Sequence, residues 1–261
     1  MAGTPRLFDA HLHPRGLSDQ DLDTLRYFGV ERALVAADHA AKGAKPTDLY
    51  DHFADLVEVQ LPRLERFGIR AYAAVGVHPR AIPRKGLTEV LSALPGYFRG
   101  GKVVALGEIG LHAGGETEEE AFTEQLALAR RLRLPVLVHT PVEDKERLTR
   151  RALVLLRASD ITPHRVLVNH ANGRTARLIL ECGHFAGLTI RPDELSTEQA
   201  VGLVRKLGAE RLVLDSGSGE GASDLLGLPR VASRLLRVRL SSAVVARVTF
   251  ENARECFRAS S

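Results

Sequence analysis

Six residues of this 261-residue chain combine chemical type and placement in a way that suits chemistry: His11, His13, Glu108, His139, His170 and Asp215. Each falls at the end of a short apolar run. His11 and His13 close LFDAHLH, Glu108 closes KVVALGEI, His139 PVLVHT, His170 RVLVNHA and Asp215 RLVLDS. Imidazole nitrogen and carboxylate oxygen are ligands for Zn²⁺, Mn²⁺ or Fe²⁺. The HxH spacing puts His11 and His13 on one face of a strand, where both can grip one ion. Glu108, with two oxygens, can bridge two ions, and His139 and His170 can serve the second. Asp215 can hold an ion and can also take a proton from the attacking water. Each residue alone has a plainer reading: a lone HxH pair is more often structural, a strand-end histidine is ordinarily a hydrogen-bonded core residue, and Glu108 alone can pair with a rim arginine. Jointly those readings fail, because burying four histidines and two acids at one place is costly unless they pair or hold metal.

The elements that must position these residues alternate along the chain. Apolar runs at 7–13, 32–38, 70–77, 102–109, 135–140, 165–171, 185–190 and 211–216 are mostly continuous rather than alternating, as strands of a parallel sheet buried on both faces are. Amphipathic stretches at 18–28, 48–67, 117–132, 144–157, 174–182, 196–207 and 242–257 read as helices, the first with a Ser18 cap and the third opening on Glu118, Glu119 and Glu120. The pattern fits a closed eight-stranded barrel or an open doubly wound sheet. Neither GxGxxG after the first strand nor GxxxxGK[ST] occurs, which speaks against an open nucleotide-binding sheet. Barrel enzymes gather their chemistry at the C-terminal ends of the strands, where all six residues fall. No repeat, linker or low-complexity segment interrupts the chain, so one domain over residues 1–261 is expected.

The motifs DAHLH, GVHP (76–79), GEIGL (107–111), VLVHT, VNHAN and LDSGSG, taken together, resemble the TatD-like branch of the amidohydrolase superfamily over essentially the whole chain. The resemblance implies a single-domain (β/α)₈ TIM barrel (α/β class) and one or two divalent ions. The ions are expected to be zinc first, with Mn, Mg, Ni or Fe as alternatives. It further implies hydrolysis of an ester, often a phosphodiester in nucleic acid. His78 of GVHP matches a histidine that contacts substrate in that family. The chain also departs from the family pattern. His112 follows GEIGL where the family has Asp, the segment after the sixth strand reads HANGRT, and Asp215 is followed by Ser216 and Gly217. These changes, with HTP, HPRAIP and the late Ser223-Asp224 pair, fit a divergent TatD-related group with an altered pocket.

Beside His78, the strand-end residues His39, His112, Arg80 and Arg191 are candidates to line a substrate pocket. Lys145 and Arg174 also fall just past strand ends and could meet an anion. Asp9 reads as supporting or structural, and His52, His164 and His184 as outside the site. The expected mechanism is metal-assisted hydrolysis with Asp215 and Glu108 in the catalytic roles. The expected substrate is a small phosphorylated molecule or nucleic acid. An amide or lactone hydrolase, and an accessory protein of a biosynthetic pathway, are the alternatives. The composition is that of an ordinary globular protein, 44% hydrophobic and 26% charged, and its net charge of +4 admits an anionic partner without requiring one. Arg130, Arg131, Arg133, Arg150 and Arg151 read as solvated helix faces. Cys182 and Cys256 lie in no CxxC pattern and are expected to be two buried thiols in a reducing compartment. With no long apolar run, no membrane association is expected; the protein reads as cytoplasmic, a monomer or small homo-oligomer.

Overall fold

The structure, a computed structural model, describes residues 5–39 and 45–259. Eight strands pair in sequence order, each parallel to the next: β1 (Leu7–Leu12), β2 (Val30–Ala36), β3 (Arg70–Ala74), β4 (Val103–Gly110), β5 (Val136–His139), β6 (Val166–Val168), β7 (Phe185–Thr189) and β8 (Leu212–Asp215). The helices among them are α1 (Asp19–Tyr27), α2 (Pro46–Ala54), α3 (Leu61–Arg66), α4 (Leu87–Ala93), α5 (Glu116–Leu132), α6 (Lys145–Ala158), α7 (Thr175–Glu181), α8 (Thr197–Leu207), α9 (Gly227–Arg237), α10 (Ser242–Ala246) and α11 (Asn252–Phe257). The expected barrel is present.

Two apolar layers hold it together. Phe8, Leu34, Tyr72, Leu137, Leu167, Phe185 and Val213 form one cluster inside the barrel, joined by Phe250, Cys256 and Phe257 from the C-terminal helical segment. The second, larger cluster packs strand residues such as Leu7, Leu12, Val35 and Leu106 against helix residues such as Leu25, Phe53, Phe122 and Leu156. Leu7 and Leu12 lie five residues apart yet share the outer layer, while Phe8 and Ala10 face inward. The side-chain period of a strand is two, so the parity of β1 changes between them. A register shift against β2 between Asp9 and Leu12 is where it changes.

Several expectations need correcting. The pattern over 48–67 predicts one continuous helix, but a π-helical stretch, Asp55–Gln60, separates α2 from α3 just before Pro62, which has no N–H for the regular ladder. The predicted 242–257 helix is likewise α10 and α11 joined through π-helical Arg247–Glu251. Helices α4 and α9 carry little signal in the sequence because their N-caps, Gly86 and Leu226, supply no side-chain oxygen to mark a start. Only Cys256 is a buried thiol; Cys182, at the C-cap of α7, is exposed. Arg150 and Arg151 do lie on exposed faces, paired with Glu146 and Glu119. Among the described residues no helix is long and apolar enough to cross a membrane.

The barrel closes between β1 and the chain that follows β8. The His13 N–H donates to the Ser218 carbonyl at 2.8 Å, and the Gly217 N–H to the His11 carbonyl at 3.0 Å. Beneath them the buried Asp9 carboxylate accepts from the Ser216 N–H at 3.0 Å and from its hydroxyl at 2.5 Å. Asp9 is thus the stitch of the seam. Asp9→Ala leaves two buried donors of Ser216 without a partner. It should cost about 2–4 kcal/mol of stability and lower the melting temperature by about 5–15 °C, measured by thermal unfolding beside Asp9→Asn, which keeps an acceptor.

Candidate metal centre

Glu108, near the end of β4 and 1% exposed, sits at the middle of the barrel mouth. Its Oε2 lies 3.2 Å from His11 Nε2, and its Oε1 lies 3.6 Å from His170 Nε2 and 3.8 Å from His139 Nδ1. His13, one residue past β1, brings its Nε2 to 2.8 Å from that of His11. The ligand atoms of His11, His13 and Glu108 all lie within 4.8 Å of one another, and a second trio, His78, Glu108 and His139, meets the same limit through the shared carboxylate. Asp215, the last residue of β8, stands on the other side of His11, with Oδ1 3.9 Å from Nδ1, and joins neither trio.

Several atoms here are buried without a hydrogen-bond partner: Glu108 Oε1, His13 Nδ1, His139 Nδ1 and both oxygens of Asp215. Buried polar atoms in proteins are nearly always satisfied, so this concentration needs a partner of another kind. Mixed imidazole and carboxylate donors around a shared glutamate fit one or two divalent cations. Burial alone would depress the His11 imidazole, but the Glu108 carboxylate, with Asp215 and Glu220, lifts it to about 9. Burial would likewise raise Glu108, and the His11 charge holds it well below the usual carboxylate range instead. Burial pushes Asp215 up to about 7, with His11 pulling the other way. A buried carboxylate here needs a positive counterpart, and a cation at the imidazoles would supply it.

The ring nitrogens are assigned roles by their neighbours. His170 brings Nδ1 to 3.1 Å from the Thr189 hydroxyl; a proton on that nitrogen would leave the Nε2 lone pair, 3.6 Å from Glu108, for a cation. Its backbone has a φ of +59°, an uncommon conformation outside glycine, and the buried Lys145 ammonium donates to its carbonyl at 2.6 Å. His78 is the opposite case. Its Nδ1 accepts the Arg80 N–H at 3.1 Å, so the proton sits on Nε2 and that nitrogen is a donor, not a ligand. Burial, then the neighbouring His139, holds His78 well below its ordinary pKa, so it donates as a neutral imidazole. His11 has the buried Asn169 amide nitrogen 2.6 Å from Nδ1, while the amide oxygen has no partner. A half-turn exchanges the two amide atoms. Only the turned form, with the oxygen accepting from Nδ1–H, leaves the His11 Nε2 lone pair for a cation. Asn169 fits there because residue 187 is glycine; any Cβ at Gly187 would overlap the amide oxygen.

Above the six residues lies a cavity of about 410 Å³. His39, His78, Arg80, His112 and Arg191, all expected at the pocket, line it together with His139 and His170. Arg191 holds Asp193 through Nε and Nη2, at 2.7 and 2.9 Å, and keeps a buried Nη1 without a partner. Two other cations do not face the cavity freely: Lys145 is bound to Glu194 at 3.1 Å, and Arg174, 84% exposed, lies on an outer groove 4.0 Å from Glu146.

A family model described as TatD related DNase matches residues 8–258. The chain belongs to the TatD family. An uncharacterized metal-dependent hydrolase of Methanocaldococcus jannaschii is 29% identical over 253 residues, 97% of this chain and 100% of that protein. The TatD-like protein of Archaeoglobus fulgidus, of known structure, is 31% identical with a TM-score of 0.80, over 97% of this chain and 100% of its own. The Escherichia coli TatD homolog YjjV shares the fold at a TM-score of 0.70 and 23% identity, over 99% of this chain and 100% of its own.

Within this TatD-family barrel, His112 brings Nδ1 to 3.4 Å from His139 Nε2, so its departure from the family pattern falls at the site itself. The residues that support the centre are not evident in the sequence. His52, which reads there as outside the site, accepts from Arg15 at Nδ1 (3.0 Å) and turns Nε2 toward Asp38 at 3.5 Å, and Asp38 in turn faces His13 Nδ1 at 3.6 Å. Asn169, Thr189, Glu194 and Glu220 are further additions from the structure; only Asn169 carries a local sign, its place beside a strand-end histidine. His164 touches none of these residues among the contacts of the site, and His184 bonds to Pro163 instead. Because Asn169 must accept from His11, Asn169→Leu should weaken divalent-cation affinity about 10–100-fold, and Asn169→Asp should preserve it. Competition titration against a chelating dye reads both.

Proposed function

We propose that this TatD-family protein is a metal-dependent hydrolase that cleaves a phosphoester bond, using two divalent ions, zinc first, held about Glu108. The observation that carries the reading is the shared carboxylate: Glu108 presents one oxygen to His11 and the other to His139 and His170. His11 and His13 would hold one ion and His139 and His170 the other, with Glu108 between them. Bound ions would supply Lewis acidity and lower the pKa of a water from 15.7 to about 7.

The chain's own groups do the rest. Asp215, with both oxygens buried and without a hydrogen-bond partner, is the carboxylate we assign to accept a proton from the attacking water. His78 points a neutral Nε2–H donor at the substrate, and Arg191 offers its unpaired Nη1. Both donate to an oxygen that gains negative charge, and neither competes for the ions. Arg80, His39 and His112 complete the wall that holds the anionic group. The family's description as a DNase supports a phosphoester over an amide. The cavity of about 410 Å³ has room for a phosphorylated group.

The test is a hydrolase screen with the zinc- or manganese-loaded protein on phosphate monoesters, phosphodiesters, an oligonucleotide, and a matched set of amides and lactones. Turnover confined to the amides and lactones would reject the phosphoester reading. On a substrate that is cleaved, Asp215→Asn should keep the fold and most of the metal while turnover falls by about two to four orders of magnitude. Near-normal turnover in that variant would exclude Asp215 as the proton acceptor. His78→Ala should weaken inhibition by inorganic phosphate at unchanged metal content; equal inhibition in both proteins would remove His78 from the anion site.

A further inference from the structure

Helix α5 buries a mostly apolar face, with Ala121, Phe122, Leu126, Leu128 and Ala129, and one amide stands among them: Gln125, 1% exposed. A buried amide needs partners for both of its ends. Both ends of Gln125 go to a single residue. Its Oε1 accepts the Val77 N–H at 2.8 Å, and its Nε2 donates to the Val77 carbonyl at 3.0 Å. These two bonds also fix which amide atom is which, because a backbone N–H only donates and a carbonyl only accepts.

The residue so gripped is the one before His78. Strand β3 ends at Ala74, and pairing with β4 continues through Val75, whose N–H donates to the Ala105 carbonyl and whose carbonyl accepts the Gly107 N–H. Among the described residues Val77 has no backbone partner in either direction, so the Gln125 amide stands in for a missing neighbouring strand. Gly76 makes the approach possible: a Cβ there would lie 2.9 Å from the Gly107 nitrogen and 3.3 Å from Gln125 Oε1. Past His78 the chain turns at once. The Ala81 N–H donates to the His78 carbonyl at 2.8 Å, and the Arg80 N–H to its Nδ1 at 3.1 Å. That turn fixes the imidazole relative to its own backbone, and Gln125 ties the backbone to α5. Neither Gln125 nor Val77 lines the cavity, so an effect of Gln125 on an anion there must pass through the loop.

We propose that Gln125 is a positioning residue for the anion site: its amide clamps Val77 so that the Nε2–H of His78 stays aimed into the cavity. The proposal rests on the reading of His78 as a donor to the bound anion. Methionine has nearly the same length and makes neither bond, so Gln125→Met frees the loop without placing a new charge near the site.

Calorimetric titration of the zinc-loaded full chain with inorganic phosphate tests it through a double-mutant cycle. Gln125→Met should weaken phosphate binding about tenfold at unchanged zinc content, the scale of one hydrogen bond to a charged group. In a His78→Ala background the same substitution should add nothing, because residues that act as one unit are not additive. Gln125→Met with wild-type phosphate affinity, beside a His78→Ala variant that has lost it, would overturn the proposal and leave His78 as the donor. An equal loss from Gln125→Met with and without His78 would show a general loosening and would overturn it as well. His78→Ala with wild-type phosphate affinity would remove the reading of His78 itself. Amide hydrogen exchange of the wild-type chain needs no variant to fold: the Val77 N–H should exchange as slowly as the amides of β3, and rapid exchange there would overturn the clamp.

Discussion

Glu108 is a carboxylate with almost no contact with water, and it faces imidazoles from three other parts of the barrel. A charge taken out of solvent is tolerable only when opposite charge or hydrogen bonds replace the water it lost. That requirement organises the mouth of the barrel. It draws His11 to one oxygen and His139 and His170 to the other, and it makes a cation a natural occupant of the space between them. The surrounding groups let the imidazoles present lone pairs inward: the Thr189 hydroxyl, 3.1 Å from His170 Nδ1, can take the proton of that ring, and Asn169 in its turned form can take that of His11. His78 is the exception, because the Arg80 N–H fixes its proton on the inward nitrogen. One ring of histidines therefore contains both candidate ligands and a donor, sorted by what lies behind each ring.

The alternation of strands and helices is legible because buried parallel strands read as continuous apolar runs. The six central residues stand out because polar side chains that end such runs are costly to bury unless they serve a site. The sequence pattern also locates the five pocket candidates, since all come from the first residues past a strand. What stays hidden is set by tertiary contact. Glu220 lies five residues past Asp215 in a glycine-rich stretch that looks like an ordinary turn, and only its lacing to β1 brings it to His13. His52 sits in α2 and reaches Asp38, two residues past the end of β2, through a contact that no local pattern announces. Asn169 depends on a missing side chain at Gly187, one strand away, and no local signal connects those two positions. The change of parity within β1 is hidden for the same reason: HxH spacing says that two histidines share a face but not which face that is.

The seam explains why supporting and reacting groups are so close together. Asp9 closes the barrel through Ser216, and the same short stretch of chain then passes the backbones of His11 and His13. Stability and site geometry thus share one set of hydrogen bonds, so that loosening the closure would also shift the first pair of histidines. Elsewhere the two are more separable, as at the lower end of the barrel, where Phe250 and Phe257 fill the interior far along the strands from the polar residues.

The lacing of residues 216–219 also bears on how such a barrel can change its substrate. A loop that serves as an extension of the sheet cannot be lengthened or shortened without breaking register with β1, so that wall is closed to the insertions by which barrel enzymes usually diversify. On the opposite wall the segments after β5 and β7 are tied to each other by a side-chain pair, Lys145 to Glu194 at 3.1 Å, rather than laced to β1. Val142 is exposed, Glu143 lies beside it, and Asp193 is held by the arginine two residues before it. Selection or design acting on this scaffold has one rigid jaw and one adjustable jaw, and new specificities would be written in the segments after β5 and β7.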